Sequence, residues 1–232
     1  MLLLFNIIHI TDISMETNLG GNLKSFRYLL TIGLPITIFV FIMIAVINQN
    51  TNEFDNFVYQ NVSELISFRL TEIMKFITFF GSQGFLITVA LLLIVFFFKK
   101  EKCSFYTSMI VINLMLAVVL NVAVKYVIQR SRPDILRLID IGGYSFPSGH
   151  SMVSMSFFGF LIYLCCINLK TRWKYLIVSL LSILIMLIGL SRIYLGVHFA
   201  SDVIGGFCLG IAWVGSFSLI VDIRHKKKYA NE

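Results

Sequence analysis

An arginine, a histidine and an aspartate stand in the otherwise apolar sequence Ser191-Arg192-Ile193-Tyr194-Leu195-Gly196-Val197-His198-Phe199-Ala200-Ser201-Asp202. Ionisable groups at membrane depth are costly, and where they cluster they usually form a functional site. Asp202 follows His198 by four positions, so in a helix the carboxylate lies on the same face and holds one imidazole nitrogen. The other nitrogen is then free to react. His198 is therefore the first candidate for a catalytic residue.

The composition around this segment is that of an integral membrane protein. Hydrophobic residues make up 58% of the 232 residues and charged residues only 13%, and the apolar runs are long enough to cross a bilayer. The net charge of +7 does not indicate nucleic-acid binding, because the basic residues form short clusters between apolar runs. The four cysteines lack the spacing of a disulfide framework or a zinc site. No metal or other cofactor is expected.

The apolar runs predict six membrane-spanning helices that together form one catalytic domain over residues 28–222. The predicted spans cover about 28–47, 73–98, 105–128, 147–170, 175–194 and 202–221. Apolar residues at helical spacing also predict a helix on the membrane surface near 54–72. Residues 1–27 are expected to be an amino-terminal tail, and residues 223–232 a basic carboxy-terminal tail.

The distribution of basic residues predicts which ends of the spans lie in the cytoplasm. Basic clusters precede the first span and follow the second, fourth and sixth, and such clusters mark the cytoplasmic side. Both termini of this multi-pass protein of the cell membrane are therefore predicted inside. The loop 129–146 is also basic but is predicted outside, which suggests that its charges serve an anionic ligand.

The same topology places the polar residues of four spans at one membrane level, on the extracytoplasmic side. The outer ends of the third and fifth spans and the outer starts of the fourth and sixth carry Lys125, Arg132, Ser148, Gly149, His150, Arg192, His198 and Asp202. Three cations, two histidines, a carboxylate and a helix N-terminus at one depth are hard to explain by packing alone. They predict a site for an anion.

Three short motifs among these residues resemble the signature motifs of the type 2 phosphatidic acid phosphatase superfamily. They are Lys125-x6-Arg132-Pro133, Pro147-Ser148-Gly149-His150 and Ser191-Arg192-x5-His198-x3-Asp202, complete and in order. The motifs extend from residue 125 to 202, and the six-span layout extends the resemblance over all but the amino-terminal tail. The resemblance implies an all-α, six-transmembrane-helix bundle and a phosphatase mechanism that needs no metal.

The resemblance also implies a catalytic role for each of three residues. His198 attacks phosphorus and forms a phosphohistidine that water later hydrolyses. Asp202 orients and stabilises His198. His150 is the general acid that protonates the leaving alkoxide or phosphate, a role that suits an imidazole.

The remaining motif residues are expected to bind the substrate phosphate. Fixed cations must absorb the charge that the transition state spreads over the phosphate oxygens. Arg132 and Arg192 each offer a planar fork, whereas Lys125 offers a point charge. Ser148 donates its hydroxyl, and Gly149 lets the backbone amides at the start of the fourth span approach the anion.

Two other classes of function would leave different features in the sequence. A six-span transporter would show broken apolar segments at corresponding places in two repeated halves, and the sequence shows no such repeat. A non-catalytic lipid-phosphate-binding membrane protein would be expected to lack a motif histidine, and this chain has both. Vanadium haloperoxidases resemble the same site, but the membrane spans favour a lipid substrate.

The sequence therefore predicts a membrane lipid phosphatase that acts on a lipid phosphate or pyrophosphate. The candidate substrates are phosphatidylglycerol phosphate, undecaprenyl pyrophosphate and phosphatidic acid. Membrane lipids surround the protein, no nucleic-acid partner is expected, and the oligomeric state is left open. Two further loop residues have alternative interpretations: Arg130 and Arg137 either extend the substrate site toward a second phosphate or headgroup, or form a solvated loop face.

Overall fold

The structure is a computed structural model that describes residues 25–97, 101–134, 136–169 and 171–229, apart from the side chains of 97, 101–104 and 225–229. The described part is all-α. Its helices are α1 (Ser25–Ile47), α2 (Asn52–Ser63), α3 (Phe68–Phe79), α4 (Gln83–Phe97), α5 (Glu101–Ile128), α6 (Gly149–Asn168), α7 (Trp173–Tyr194) and α8 (Ala200–Tyr229). Most of the predicted amino-terminal tail lies outside the described residues. Much of the predicted carboxy-terminal tail continues the last helix.

The bundle has the spans that the apolar runs predict, with one difference. Helices α1, α5, α6, α7 and α8 are each long and apolar enough to cross a membrane. The second span is a bent pair, α3 and α4, whose axes differ by 44°. Large apolar side chains are exposed on the outer faces of the spans, among them Phe41, Phe96 and Val119. Such faces suit the hydrocarbon core of a bilayer.

The single surface helix predicted near 54–72 is two helices in the structure. Ser67 is the N-cap of α3, with an extended backbone and a hydroxyl oxygen that accepts a hydrogen bond from the Leu70 N–H at 3.4 Å. The Ser67 N–H also donates to the Tyr194 hydroxyl at 3.1 Å. Because this contact comes from α7, the helical spacing within the segment gives no sign of the break. Helix α3 joins the bent span, and α2 alone remains a separate short helix.

Helix α6 is the centre of the bundle and contacts α5, α7 and α8. It is buried along most of its length, and two of its serines bond to carbonyls of their own helix. Helix α8 approaches closely because Gly206 and Gly210 face α6. A Cβ atom at Gly206 would lie 2.8 Å from the Ser148 carbonyl oxygen, and one at Gly210 would lie 2.8 Å from the Met155 side chain. This packing brings the starts of α6 and α8 together.

A buried ionic cluster holds the opposite end of the bundle. Asp222 of α8 accepts hydrogen bonds from Arg27 and Tyr28 of α1 and from Tyr163 of α6. Asp222 follows Asp202 by twenty residues in one helix, which corresponds to about 30 Å at 1.5 Å per residue. That length equals the hydrocarbon thickness of a bilayer. The two polar ends of the bundle are thus one membrane thickness apart.

Candidate active site

The residues predicted to form a phosphate site lie together at one end of the bundle. They come from the end of α5, the loop between α5 and α6, the start of α6, the end of α7 and the segment that leads into α8. The set is Lys125, Arg132, Ser148, Gly149, His150, Arg192, His198 and Asp202. Short connections after α7 and close packing of α8 on α6 explain why distant parts of the sequence meet there.

His198 and Asp202 form a pair at the start of α8. The chain turns at Gly196, whose φ of 70° favours glycine, and α8 begins at Ala200. His198 therefore precedes the helix, yet its Nδ1 is 3.4 Å from Asp202 Oδ2. The same carboxylate oxygen accepts a hydrogen bond from the Phe199 N–H at 2.9 Å. The first turn of α8 thus fixes the carboxylate that faces the imidazole.

His198 is neutral at pH 7. It is only 3% exposed, and burial is the main cause that lowers the pKa of His198 to about 4; Arg192 and Arg132 act in the same direction and Asp202 opposes them. A proton on Nδ1, directed at Asp202, leaves Nε2 unprotonated. Nε2 lies 3.2 Å from Arg132 Nη1. The imidazole therefore presents a lone pair beside a guanidinium, as a nucleophile toward a bound phosphate requires.

Arg132 is held in this position by backbone carbonyls. Its Nε donates to the carbonyl oxygens of Gly142 and Gly143 at 3.2 and 3.0 Å, and its Nη1 donates to that of Val197 at 2.8 Å. Carbonyl oxygens orient a guanidinium without cancelling its charge. The loop before α6 and the loop before α8 thus aim Arg132 at His198.

The other two predicted cations are supported by neutral groups in the same way. Lys125 donates to the carbonyl oxygen of Tyr144 and to that of Ser145 at 3.3 Å. Arg192 is 1% exposed, donates from Nη1 to the Thr78 hydroxyl at 2.7 Å, and has no partner for its Nε among the described residues. In the described part of the chain none of the three cations is paired with a carboxylate. Their positive potential is available to an anion.

Ser148 serves as the N-cap of α6. Its hydroxyl oxygen accepts hydrogen bonds from the Ser151 N–H at 3.5 Å and the Ser151 hydroxyl at 3.0 Å. Its own N–H donates to the Asp202 carbonyl oxygen at 3.0 Å, which joins the starts of α6 and α8. Ser148 is fully buried. The residue therefore has a structural part in the site as well as a hydroxyl proton that it can still donate.

Gly149 and His150 form the first turn of α6. A Cβ atom at Gly149 would lie 3.0 Å from the Asn121 side-chain oxygen, so glycine admits this buried amide. His150 is half-buried, and a Cβ atom at Gly81, in the bend between α3 and α4, would lie 3.3 Å from its ring. No hydrogen bond joins the His150 ring to another described residue. The ring interacts electrostatically with Arg192, His198, Arg132 and Lys125.

The structure adds contacts that the sequence patterns did not indicate. The Ser145 hydroxyl donates to Asp202 Oδ2 and lies 3.4 Å from His198 Nδ1. Thr78 supports Arg192 from α3. Neither residue stands in a recognisable pattern, because a single serine in a polar loop and a single threonine in an apolar run are both common.

Neither of the two interpretations given for Arg130 agrees with the structure. Arg130 forms salt bridges with Asp55 of α2 at 2.7 Å and with Asp202 at 2.6 Å. Arg137 is exposed and donates to the Pro133 carbonyl oxygen at 2.9 and 2.7 Å, as expected for a solvated loop face. One signal was present for Asp55: it precedes Val58 by three residues and so occupies the apolar, inward side of α2.

Comparison with known proteins gives a family and several relatives. The model of the PAP2 superfamily matches residues 105–226. Phosphatidylglycerophosphatase B of Bacillus subtilis (strain 168) is 32% identical over 192 residues, which cover 76% of this chain and 89% of that protein. Undecaprenyl-diphosphatase of Sulfolobus acidocaldarius is 29% identical over 160 residues, which cover 66% of this chain and 71% of that protein. The crystal structure of a transmembrane PAP2 type phosphatidylglycerolphosphate phosphatase from Bacillus subtilis has a TM-score of 0.73 and 27% identity, covering 81% of this chain and 96% of that one.

Proposed function

Because the chain belongs to the PAP2 superfamily and has relatives named as phosphatases, we propose that it is a metal-independent membrane lipid phosphatase that uses His198 as its nucleophile. It removes the terminal phosphate of a lipid phosphate or pyrophosphate through a phosphohistidine intermediate. One observation carries the assignment of the nucleophile: a buried neutral imidazole has a carboxylate at Nδ1 and a guanidinium at Nε2. We assign residues 28–222 to the catalytic domain.

In the first step the substrate phosphate lies among Arg132, Arg192 and Lys125, with phosphorus facing His198 Nε2. The Nε2 lone pair forms the P–N bond while the bond from phosphorus to the leaving oxygen breaks. The three cations stabilise the charge on the transferring phosphoryl oxygens. The electron pair of the broken bond passes to the leaving oxygen, which takes a proton from protonated His150.

In the second step water releases the phosphate. His150, now neutral, takes a proton from a water molecule as that water attacks phosphorus. The P–N bond breaks, its electron pair returns to Nε2, and inorganic phosphate leaves. Asp202 stabilises the positive imidazole ring in both steps through the Nδ1 proton.

The position of the site supports a lipid as substrate. The site lies at one end of apolar helices whose outer faces carry exposed large hydrophobic side chains, so a lipid in the bilayer can bring its phosphate to that level. The names of the relatives make phosphatidylglycerol phosphate and undecaprenyl pyrophosphate the first two candidates, and phosphatidic acid is the third.

Phosphate release from these three lipids tests the proposal. Purified protein in mixed micelles should release inorganic phosphate from at least one of them, and the His198→Asn variant should release none. Glucose 6-phosphate, which has no lipid chain, should be hydrolysed poorly. Folded wild-type protein that releases phosphate from none of the three lipids would contradict the function. Activity that survives in His198→Asn would contradict the nucleophile.

We further propose that both termini are cytoplasmic and that the site faces the extracytoplasmic side, since the basic clusters lie at the opposite ends of the spans. Two exposed positions permit a test in a cysteine-free background. Asp140→Cys, in the loop before α6, should react with a membrane-impermeant maleimide on intact cells. Arg172→Cys, between α6 and α7, should react only after permeabilisation. The reverse pattern would place the site on the cytoplasmic side.

A further inference from the structure

A buried ionic network lies behind the Asp202–His198 pair, and its central residue, Arg130, stands at one of the unspecified positions of the first motif. Arg130 Nη1 donates to Asp202 Oδ1 at 2.6 Å and to the Ser201 hydroxyl at 2.7 Å. Arg130 Nη2 donates to Asp55 Oδ2 at 2.7 Å and to the Thr51 hydroxyl at 3.0 Å. The side chains of both aspartates are fully buried, and that of Arg130 is 11% exposed.

Arg130 is unsuited to binding the substrate phosphate. Both of its terminal nitrogens already donate to protein oxygens, and two carboxylates face its single positive charge. Its guanidinium also lies over the Phe199 ring, with 4.1 Å between the guanidinium carbon and the ring centroid. Arg132, two positions later, differs in that only neutral groups hold it. The two neighbouring arginines therefore have different tasks.

The network determines which oxygen of Asp202 faces the imidazole. Arg130 binds Oδ1, so Oδ2 is left for His198 Nδ1, for the Phe199 N–H and for the Ser145 hydroxyl. Without the bond to Oδ1 the carboxylate can rotate about its Cβ–Cγ bond. A rotated carboxylate no longer holds the imidazole proton on Nδ1. The proton can then move to Nε2, which removes the lone pair that attacks phosphorus.

Asp55 ties this arrangement to helix α2. Its Oδ1 accepts a hydrogen bond from the Ser201 N–H at 2.8 Å, and its Oδ2 accepts one from the Ser201 hydroxyl at 2.7 Å. Ser201 directly precedes Asp202, in the first turn of α8, where backbone N–H groups have no partner within the helix. Asp55 thus fixes both the guanidinium that holds Asp202 and the stretch of backbone that carries it.

We infer that Arg130 and Asp55 are positioning residues for the Asp202–His198 pair and that α2, although it carries no motif residue, is part of the catalytic apparatus. This inference rests on the proposed function. The two residues act on the chemical step through Asp202 and do not contact the phosphate. Their loss should therefore lower kcat and leave KM almost unchanged.

Asp55→Asn is the main test, because it keeps the shape of the side chain and leaves the positive charge of Arg130 paired with the negative charge of Asp202. The substrates are the lipid phosphate that the wild type hydrolyses best and p-nitrophenyl phosphate. We expect kcat to fall about ten- to a hundred-fold, the scale of a lost hydrogen bond to a charged group, with KM within about twofold of wild type. In Arg130→Lys kcat should fall by at least as much, because one ammonium cannot contact Asp55 and Asp202 at once as the two terminal nitrogens of a guanidinium do.

Two matched variants control for the loss of a charge alone. Glu53→Gln removes an exposed carboxylate from the same helix, and Arg137→Gln removes an exposed guanidinium from the same loop. Both should keep kcat and KM within about twofold of wild type, the range expected for a surface change. Elution volume in size-exclusion chromatography and thermal midpoint are recorded for every variant, so that only folded protein is compared.

A double-mutant cycle separates positioning from general loosening of the structure. If Asp55 acts through Asp202, adding Asp55→Asn to the Asp202→Asn variant should lower kcat for p-nitrophenyl phosphate by less than about twofold. An equal loss in both backgrounds would overturn the inference, as would a raised KM with unchanged kcat or an unchanged kcat in Asp55→Asn. Wild-type protein assayed in parallel distinguishes these results from a failure of the proposed function, in which the wild type itself would be inactive.

Discussion

Replacing each histidine by alanine should affect different steps of the reaction. His198→Ala removes the proposed nucleophile and leaves Asp202 and Arg132 without the ring between them. His150→Ala removes a proton donor whose ring has no hydrogen bond to another described residue, so no protein group loses a partner. His198→Ala should abolish turnover on every substrate, because a covalent nucleophile acts as one unit with its partners.

The size of the His150→Ala effect should depend on the leaving group. General acid catalysis contributes about a hundred- to ten-thousand-fold, which corresponds to roughly 3 to 5 kcal/mol at 1.36 kcal/mol per factor of ten. An alkoxide that leaves a phosphate monoester needs the whole contribution. A nitrophenolate is a far weaker base and needs little of it. The variant should therefore lose about a hundred-fold or more in kcat/KM on a lipid monoester and much less on p-nitrophenyl phosphate.

The assay is kcat/KM for phosphate release at pH 7 from both substrates by wild type and the two variants, because kcat/KM reports only the steps up to departure of the leaving group and not the later hydrolysis in which His150 is the base. The decisive quantity is the ratio of the lipid kcat/KM to the aryl kcat/KM, which cancels differences in the amount of active protein. This ratio should fall at least about tenfold in His150→Ala. Equal proportional losses on both substrates would refute the assignment of His150 as the general acid, and residual turnover in His198→Ala would refute that of the nucleophile.

Three further predictions follow from the same site. Excess chelator should leave the rate of phosphate release unchanged, since protein cations supply the positive charge; loss of activity that magnesium restores would contradict the mechanism. Thr78→Val removes the hydroxyl that supports buried Arg192 and should reduce kcat/KM by about tenfold or more, the effect of a lost hydrogen bond to a charged group, whereas the exposed Thr88→Val on α4 should not. The pKa of His198 is about 4 in the folded protein and that of a solvent-exposed histidine in the unfolded chain is 6.5. As the pH falls below 6.5, the unfolded chain therefore binds the proton first and the free energy of unfolding falls. Between pH 6.5 and 4 the free energy of unfolding of the wild type should fall by at most about 1.4 kcal/mol per pH unit more than that of His198→Asn. If the thermal midpoints of the two proteins change in parallel over this range, His198 is not buried in its neutral form.

The sequence was sufficient to predict the bundle and the motif residues because both depend on local information. A bilayer requires about twenty apolar residues for each span, so length and composition alone locate α1 and α5–α8. The short motifs identify the site residues in the sequence. Because successive spans cross the membrane in opposite directions, the span ends that carry these residues lie at one membrane level. The sequence analysis missed the bend at residues 80–82 and the break before Ser67. At the break, the Ser67 N–H donates to the Tyr194 hydroxyl of α7, a tertiary contact that the spacing of apolar residues does not indicate.

The different contacts of Arg130 and Arg132 could not be predicted from their own part of the chain. The two arginines stand two positions apart in the same basic loop. What separates them is the partner: Arg130 pairs with Asp55, 75 positions earlier, and with Asp202, 72 positions later, whereas Arg132 contacts carbonyls and an imidazole. A cation is available to an anionic ligand only where no carboxylate reaches it, and this is a property of the folded bundle. An excess of basic residues in a loop therefore predicts that an anion binds nearby, but the contact of Arg130 with Asp55 of α2 determines that Arg132, rather than Arg130, is the arginine proposed to bind it.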